Sequence, residues 1–364
     1  MKKVLIVVGT RPNFIKVTRF KRVAAQRGTI DVRIVHTGQH FSANMADVFF
    51  EQFGLVPDIF LNIGAGSPNT QMAQVMLGLE TVISEERPDL VMVVGDVNST
   101  LAAAITANKM GVRIGHLESG LRSHDRTMPE EHNRVLTDAL TDHFFITEQS
   151  GLDHLRQEGR PEEALHVVGN TMIDTLVAFE PQVQASPVLQ QLGLGEGGHV
   201  LMTIHRPATV DVPERLTALL DLIADVCASG RKVVFPIHPR TVKNIEAFGL
   251  KAKADAIQGL VRTEPLDYFA FQKLVATCGF ILTDSGGIQE ESTFRRVPCL
   301  TLRPNTERPI TVTLGSNELV PLDMDAVRAA IARIENGTFK RGEVPPLWDG
   351  HATERIVEVL ERVL

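Results

Sequence analysis

Residues 283–291, Thr-Asp-Ser-Gly-Gly-Ile-Gln-Glu-Glu, put a glycine turn, a hydroxyl and acids directly after the apolar run Phe280-Ile281-Leu282. A strand, a glycine turn and a helix start, in that order, expose unpaired main-chain N–H groups and the positive end of a helix dipole. That combination suits a phosphate. Ser285 adds a hydroxyl beside Gly286 and Gly287, and Glu291 could accept hydrogen bonds from a ribose. A second turn, Gly9-Thr10-Arg11-Pro12-Asn13, carries Arg11 and then Lys16 in the following helix. Two cations at a helix start suit a diphosphate. The competing readings are a plain strand–helix turn and two ordinary surface cations.

Acids also gather where apolar runs end. Asp96 follows residues 90–94, Glu118 follows residues 112–116, and Pro129-Glu130-Glu131-His132-Asn133-Arg134 opens a helix. Asp96 equally suits a helix cap, and Glu130 and Glu131 suit an ordinary first helical turn. Glu118 comes straight out of an apolar strand, where a carboxylate is costly unless it has a partner or a purpose. Asp96, Glu118 and Glu130 in one cleft would raise each other's pKa, which suits proton transfer near neutral pH. In the second half, His205-Arg206 and His238-Pro239-Arg240 follow apolar runs. Each histidine is either a hydrogen-bonded structural residue or a group that moves a proton or contacts a leaving phosphate. Arg308, in Thr306-Glu307-Arg308-Pro309, is a further cation, and Phe271 either flanks a base or packs in the core.

These residues need a scaffold that delivers strand ends to one place. Expected strands at 4–8, 32–36, 90–94, 112–116, 143–146 and 166–168 alternate with amphipathic stretches at 14–26, 43–53, 70–86 and 99–110. This is the rhythm of a parallel sheet covered on both faces. It pauses over about 170–197, where glycine and proline suggest connecting material, and restarts with strands at 200–204, 232–235, 259–261, 280–283 and 299–302. The expected architecture is α/β, two doubly wound Rossmann-like domains facing across a cleft, with ligands outside the carboxyl ends of the strands. The domains are expected at 1–172 and 173–350, with a closing helix over 351–364 packing back.

The 364 residues provide material for two cores. The net charge of −7 excludes a general nucleic-acid or anionic-membrane surface, so any anion must meet a local basic site. The three cysteines, Cys227, Cys278 and Cys299, lack metal-ligand spacing and read as buried free thiols of a reducing compartment. The initial apolar run stops at Gly9, too short for export or a membrane span. A cytoplasmic protein with no metal and no membrane partner is expected.

In order along the chain, Gly9–Pro12, residues 36–40, Gly95-Asp96, 116–123, 129–134, His205-Arg206, 284–291 and 306–309 resemble the motifs of the non-hydrolysing UDP-N-acetylglucosamine 2-epimerases, which have the GT-B fold. The resemblance covers nearly the whole chain. It implies interconversion of UDP-GlcNAc and UDP-ManNAc without a cofactor, by anti elimination of UDP to bound 2-acetamidoglucal and re-addition. Because the C2 proton is not acidic, departure of UDP must carry much of the bond breaking, aided by cations and helix N-termini. Carried over by motif, Asp96, Glu118, Glu130 and His205 are the catalytic set, with Glu130 preferred to Glu131 as the first acid after the proline. Arg11, Lys16, Arg134, His238, Ser285, Gly286, Gly287, Glu291 and Arg308 would hold the UDP-sugar, with Phe271 near the uridine. The resemblance also implies a homodimer.

Asn13 replaces the family's usual acid, His205-Arg206 continues into Pro207-Ala208-Thr209, and residues 41–45 differ near where some relatives bind a second, activating UDP-GlcNAc. C3- or C6-modified sugars are therefore alternative substrates. A hydrolysing epimerase, a GT-B glycosyltransferase and a catalytically silent sensor are the competing functions. The intact Gly9–Pro12 motif and the retained acids favour the non-hydrolysing epimerase over all three.

Overall fold

The computed structural model describes residues 1–38, 50–64 and 66–364. It divides into two compact units, Met1–Ala178 with Pro346–Leu364, and Phe179–Pro345. The first unit holds β1 (Lys2–Val8), β2 (Ile30–His36), β3 (Ile59–Phe60), β4 (Leu90–Val94), β5 (Arg113–Leu117), β6 (His143–Ile146) and β7 (Leu165–Val167). They form one parallel sheet in the order β3-β2-β1-β4-β5-β6-β7. The last five residues of β1 and all of β4 are buried, as strands covered on both faces must be, which is why they read as unbroken apolar runs. The chain winds outward from β1 to β3 and then returns to β4. The loops after β1 and β4 therefore leave in opposite directions and open a crevice between them.

The second unit repeats this plan with β8 (His199–Thr203), β9 (Lys232–Pro236), β10 (Leu260–Thr263), β11 (Phe280–Thr283), β12 (Cys299–Thr301) and β13 (Asn317–Leu319). The order β10-β9-β8-β11-β12-β13, all parallel, reverses between β8 and β11. The turns of the two key motifs, at His205 and at Ser285, follow these two neighbouring strands.

The final helix, Ala352–Val363, belongs to the first unit. Its apolar positions Ile356, Val357, Val359 and Leu360 are buried. The Asp174 carboxylate accepts hydrogen bonds from the N–H groups of Ala352 (3.0 Å) and Thr353 (2.6 Å), fixing the helix start. Near its end, Glu361 accepts from Arg27 at 2.6 Å.

Several local expectations shift. Residues 14–26 form two helices, Arg11–Ile15 and Phe20–Arg27. The Thr175 hydroxyl takes up the Ile15 carbonyl at 2.5 Å, removing an acceptor from the next helical turn. The short strands β3 and β13 have too few residues to show a pattern. The stretch at 170–197 contains the helices Thr171–Ala178, Glu180–Ala185 and Val188–Gln191. Of the helix expected at 43–53, residues 43–49 lie outside the described residues, as do Gln39 and His40 of the second motif and the divergent segment 41–45; residues 50–53 are helical. Among the described residues no helix is long and apolar enough to cross a membrane.

Candidate active site

In the first unit the crevice between β1 and β4 is lined from three strand ends. After β1, the Thr10 hydroxyl donates to Asn13 Oδ1 at 2.8 Å, and Asn13 Nδ2 donates to the Val94 carbonyl at 3.0 Å, tying this turn to the end of β4. Lys16 reaches past that turn to form a buried ion pair with Glu118 at the end of β5. Between them lies Gly95, with φ +66°. A Cβ there would sit 3.0 Å from Asn13 Nδ2, 3.3 Å from Glu118 Oε2 and 3.5 Å from Lys16 Nζ. Only glycine combines that backbone with so close an approach.

Glu118 itself has φ +71°, a left-handed conformation that a side chain adopts at a cost of about 1–3 kcal/mol. The surrounding structure imposes it. Glu118 N–H and Ser119 N–H share the Phe145 carbonyl of β6, at 3.1 and 3.3 Å. Behind them His116, fully buried on β5, places Nδ1 2.6 Å from Asp138 and Nε2 2.9 Å from the Gly95 carbonyl. Asp138 also meets Arg122 at 2.7 Å and the Gly120 N–H at 3.1 Å. Burial pushes the Asp138 carboxyl up, but the charges and hydrogen bonds of His116 and Arg122 outweigh it and hold its pKa below the usual range.

Asp96, one residue beyond Gly95, pairs with Arg134 Nη2 at 2.6 Å. The same guanidinium holds Glu131 at 2.7 Å. Glu131 is buried and also accepts from Ser123 N–H (2.8 Å), the Ser123 hydroxyl (3.0 Å) and His124 N–H (2.9 Å). Burial raises its carboxyl, yet these donors prevail and depress it. Glu131 is thereby committed to the loop, whereas Glu130 is half-buried in the first helical turn. Arg11 is also half-buried, and desolvation lowers its pKa. The expected mutual repulsion of acids is thus tempered, since Glu118 and Asp96 each carry a cation.

In the second unit the crevice between β8 and β11 holds His205, Ser285, Gly286 and Gly287. The floor is a hydroxyl pair, Thr203 and Thr283, 2.6 Å apart, and Thr283 also accepts the Ser285 N–H at 3.0 Å. Gly286 faces the Glu307-Arg308 turn, where an added Cβ would meet Glu307 Oε1 at 2.6 Å and Arg308 Nη1 at 2.9 Å. Arg308 is buried, with Nε 2.9 Å from Glu290 and Nη1 on Glu307; Glu307 in turn holds Arg303 at 2.9 Å. The helix Gly287–Arg295 starts here and carries Glu291 inward. Burial pushes Glu291 up to about 7, against a hydrogen bond from Gln272 and with the charge of Glu290 adding to the rise.

The His205 and His238 rings lie 5.9 Å apart. His238 Nδ1 accepts the Arg240 N–H at 3.1 Å, and burial, His205 and Arg240 lower its pKa. Phe271 packs against the cluster of Leu274, Ile288 and Cys299, so core packing accounts for at least part of its role. Sequence reasoning missed Asp284, Asp138 and the pairing of Lys16 with Glu118. Asp284 carried a usable signal, because like Glu118 it is an acid directly after an apolar strand.

A family model described as UDP-N-acetylglucosamine 2-epimerase matches residues 22–361. The UDP-N-acetylglucosamine 2-epimerase of Methanocaldococcus jannaschii is 39% identical over 364 residues, covering 98% of each chain. The UDP-2,3-diacetamido-2,3-dideoxy-D-glucuronate 2-epimerase of Pseudomonas aeruginosa is 38% identical over 365 residues, covering 99% of this chain and 100% of that one. The crystal structure of the M. jannaschii UDP-GlcNAc 2-epimerase in complex with UDP-GlcNAc and UDP matches with a TM-score of 0.89 at 37% identity, covering 99% of both chains. The two parallel-sheet units are those of the GT-B epimerases.

Proposed function

Because the chain belongs to the UDP-N-acetylglucosamine 2-epimerase family, we propose that it interconverts UDP-GlcNAc and UDP-ManNAc without net hydrolysis. A base takes the C2 proton, the C1–O bond to UDP breaks and a C1=C2 double bond forms. UDP then re-adds at C1 as an acid returns a proton to the other face of C2. Every heavy atom of the substrate is retained, and only the C2 hydrogen is replaced.

The observation that carries this reading is Glu118, an acid held in a left-handed backbone against Lys16 at the β1/β4 crevice. Strain and a buried charge together favour a functional residue over a filler. Asp96, Glu118 and Glu130 are the acid–base groups in this proposal, with His205 in the same set. Arg11, Lys16 and Arg134 act as cations toward the substrate. Ser285, Gly286, Gly287, His238, Glu291 and Arg308 receive the diphosphate and ribose, and Phe271 lies near the base. The N–H groups opening the helix Gly287–Arg295 suit a phosphate.

A second substrate is supported by a specific observation. The P. aeruginosa relative named for a diacetamido-glucuronate is about as similar as the M. jannaschii enzyme, at 38% against 39% identity. Self-association into a homodimer is supported by exposed Leu77, Val135 and Leu136 on the helices Pro68–Glu86 and Pro129–Leu140. Sedimentation at the monomer mass across micromolar concentrations would remove it.

The test is a product assay with UDP-GlcNAc alone, with the diacetamido-glucuronate nucleotide in parallel. The expected result is a stable mixture of two UDP-sugar epimers. Stoichiometric free UDP overturns the non-hydrolysing assignment.

A further inference from the structure

Asp284 is fully buried at the end of β11, next to the end of β8, and one carboxylate serves both the main chain and the side chain of His205. Its Oδ2 accepts the N–H groups of His205 at 2.9 Å and Arg206 at 2.7 Å. Its Oδ1 is buried without a hydrogen-bond partner among the described residues and lies 3.0 Å from His205 Nδ1, at ion-pair distance. The Asp284 carbonyl is in turn held by Arg206 Nε at 2.9 Å.

We infer that Asp284 is the positioning residue for His205, fixing its loop, its ring plane and its tautomer. A buried carboxylate oxygen requires a donor, and the imidazole Nδ1–H, 3.0 Å away, is the donor at hand. The proton therefore resides on Nδ1 when the ring is neutral, and Nε2 is the nitrogen left to exchange a proton with, or hydrogen-bond, the UDP-sugar. Among the described residues His238 lies beside the ring, at 5.9 Å between ring centroids, and Arg206 is the cation on the Asp284 carbonyl. This role rests on the proposed participation of His205.

The decisive substitution is Asp284→Asn. Asparagine Oδ1 can keep both main-chain hydrogen bonds, while its NH2 group presents a donor where Nδ1–H needs an acceptor. The neutral ring must then move its proton to Nε2. Nitrogen-15 imidazole NMR of the full chain reads the tautomer directly and needs no turnover. The Nδ1–H form is expected in the wild type and the Nε2–H form in Asp284→Asn. In parallel, kcat is expected to fall at least about 100-fold with KM changed less than about threefold. In a His205→Gln background the same substitution is expected to change kcat less than about threefold. An Nε2–H tautomer in the wild type, or full additivity of the two substitutions, overturns the inference. Should the wild type epimerise no UDP-sugar, the proposed function fails while the tautomer measurement still decides the role of Asp284.

Discussion

Lys16 and Glu118 pair across the end of β4, with side-chain exposures of only 8% and 5%, and the pair passes over the bare α-carbon of Gly95. A carboxylate so far from water is tolerable because the ammonium accompanies it. The same ammonium is a cation for a leaving diphosphate in the proposed reaction. Breaking a buried pair from one side leaves an uncompensated charge, which costs roughly 3–5 kcal/mol. Lys16→Met is therefore expected to lower stability by about that amount, while Lys16→Met/Glu118→Gln recovers much of it. Urea unfolding of both variants checks this. Equal destabilisation in the two would mean that the pair contributes by packing alone.

Gly95→Ala should reduce both stability and turnover. The φ of +66° costs a side chain about 1–2 kcal/mol, and the new methyl group would press on Asn13, Glu118 and Lys16. Gly111 is the control, because its φ of +70° is similar but a Cβ there meets open space. Gly111→Ala is expected to lose stability alone, with kcat unchanged. Thermal melts and steady-state rates separate the two.

Adjacent acids give opposite expectations. Glu131 serves Ser123, His124 and Arg134, so Glu131→Gln should destabilise by roughly 2–3 kcal/mol while the folded enzyme keeps most of its turnover. Glu130→Gln should change stability by less than about 0.5 kcal/mol and cut kcat at least about 100-fold. The reverse pattern in paired unfolding and rate measurements would move the catalytic role to Glu131.

Glu291 gives the fold a pH dependence of known sign. Its carboxyl rises from 4.5 when unfolded to about 7 when folded, so the folded state binds its proton more tightly. The associated stability is fully present below pH 4.5 and is lost as pH rises through about 7. The span corresponds to about 3 kcal/mol. Glu291→Gln removes this titration, so its stability relative to the wild type should improve between pH 5 and pH 8. A constant difference across that range would place the Glu291 pKa near its ordinary value.

The wound architecture was legible because β1, β4, β8 and β11 each carry an unbroken apolar run, at residues 4–8, 90–94, 200–202 and 280–282, and fully covered parallel strands impose that composition. The glycine turns were legible for a related reason, since close backbone approach excludes other residues. Charge pairing was not legible. Nothing local distinguishes Glu130 from Glu131 or links Lys16 to Glu118, because the partners come from other elements after folding. Asp284 fell between these cases. Its place after an apolar strand marked it as expensive, but only the return of β11 beside β8 shows that it supports His205.

Proton exchange at C2 tests the central claim most directly. UDP-GlcNAc incubated with the enzyme in deuterium oxide and followed by proton NMR should yield both epimers with deuterium at C2 and UDP still attached. Asp96→Asn and Glu118→Gln should abolish that exchange while leaving UDP affinity within about threefold. Epimers that keep the C2 proton, or wild-type exchange in either carboxylate variant, would contradict it.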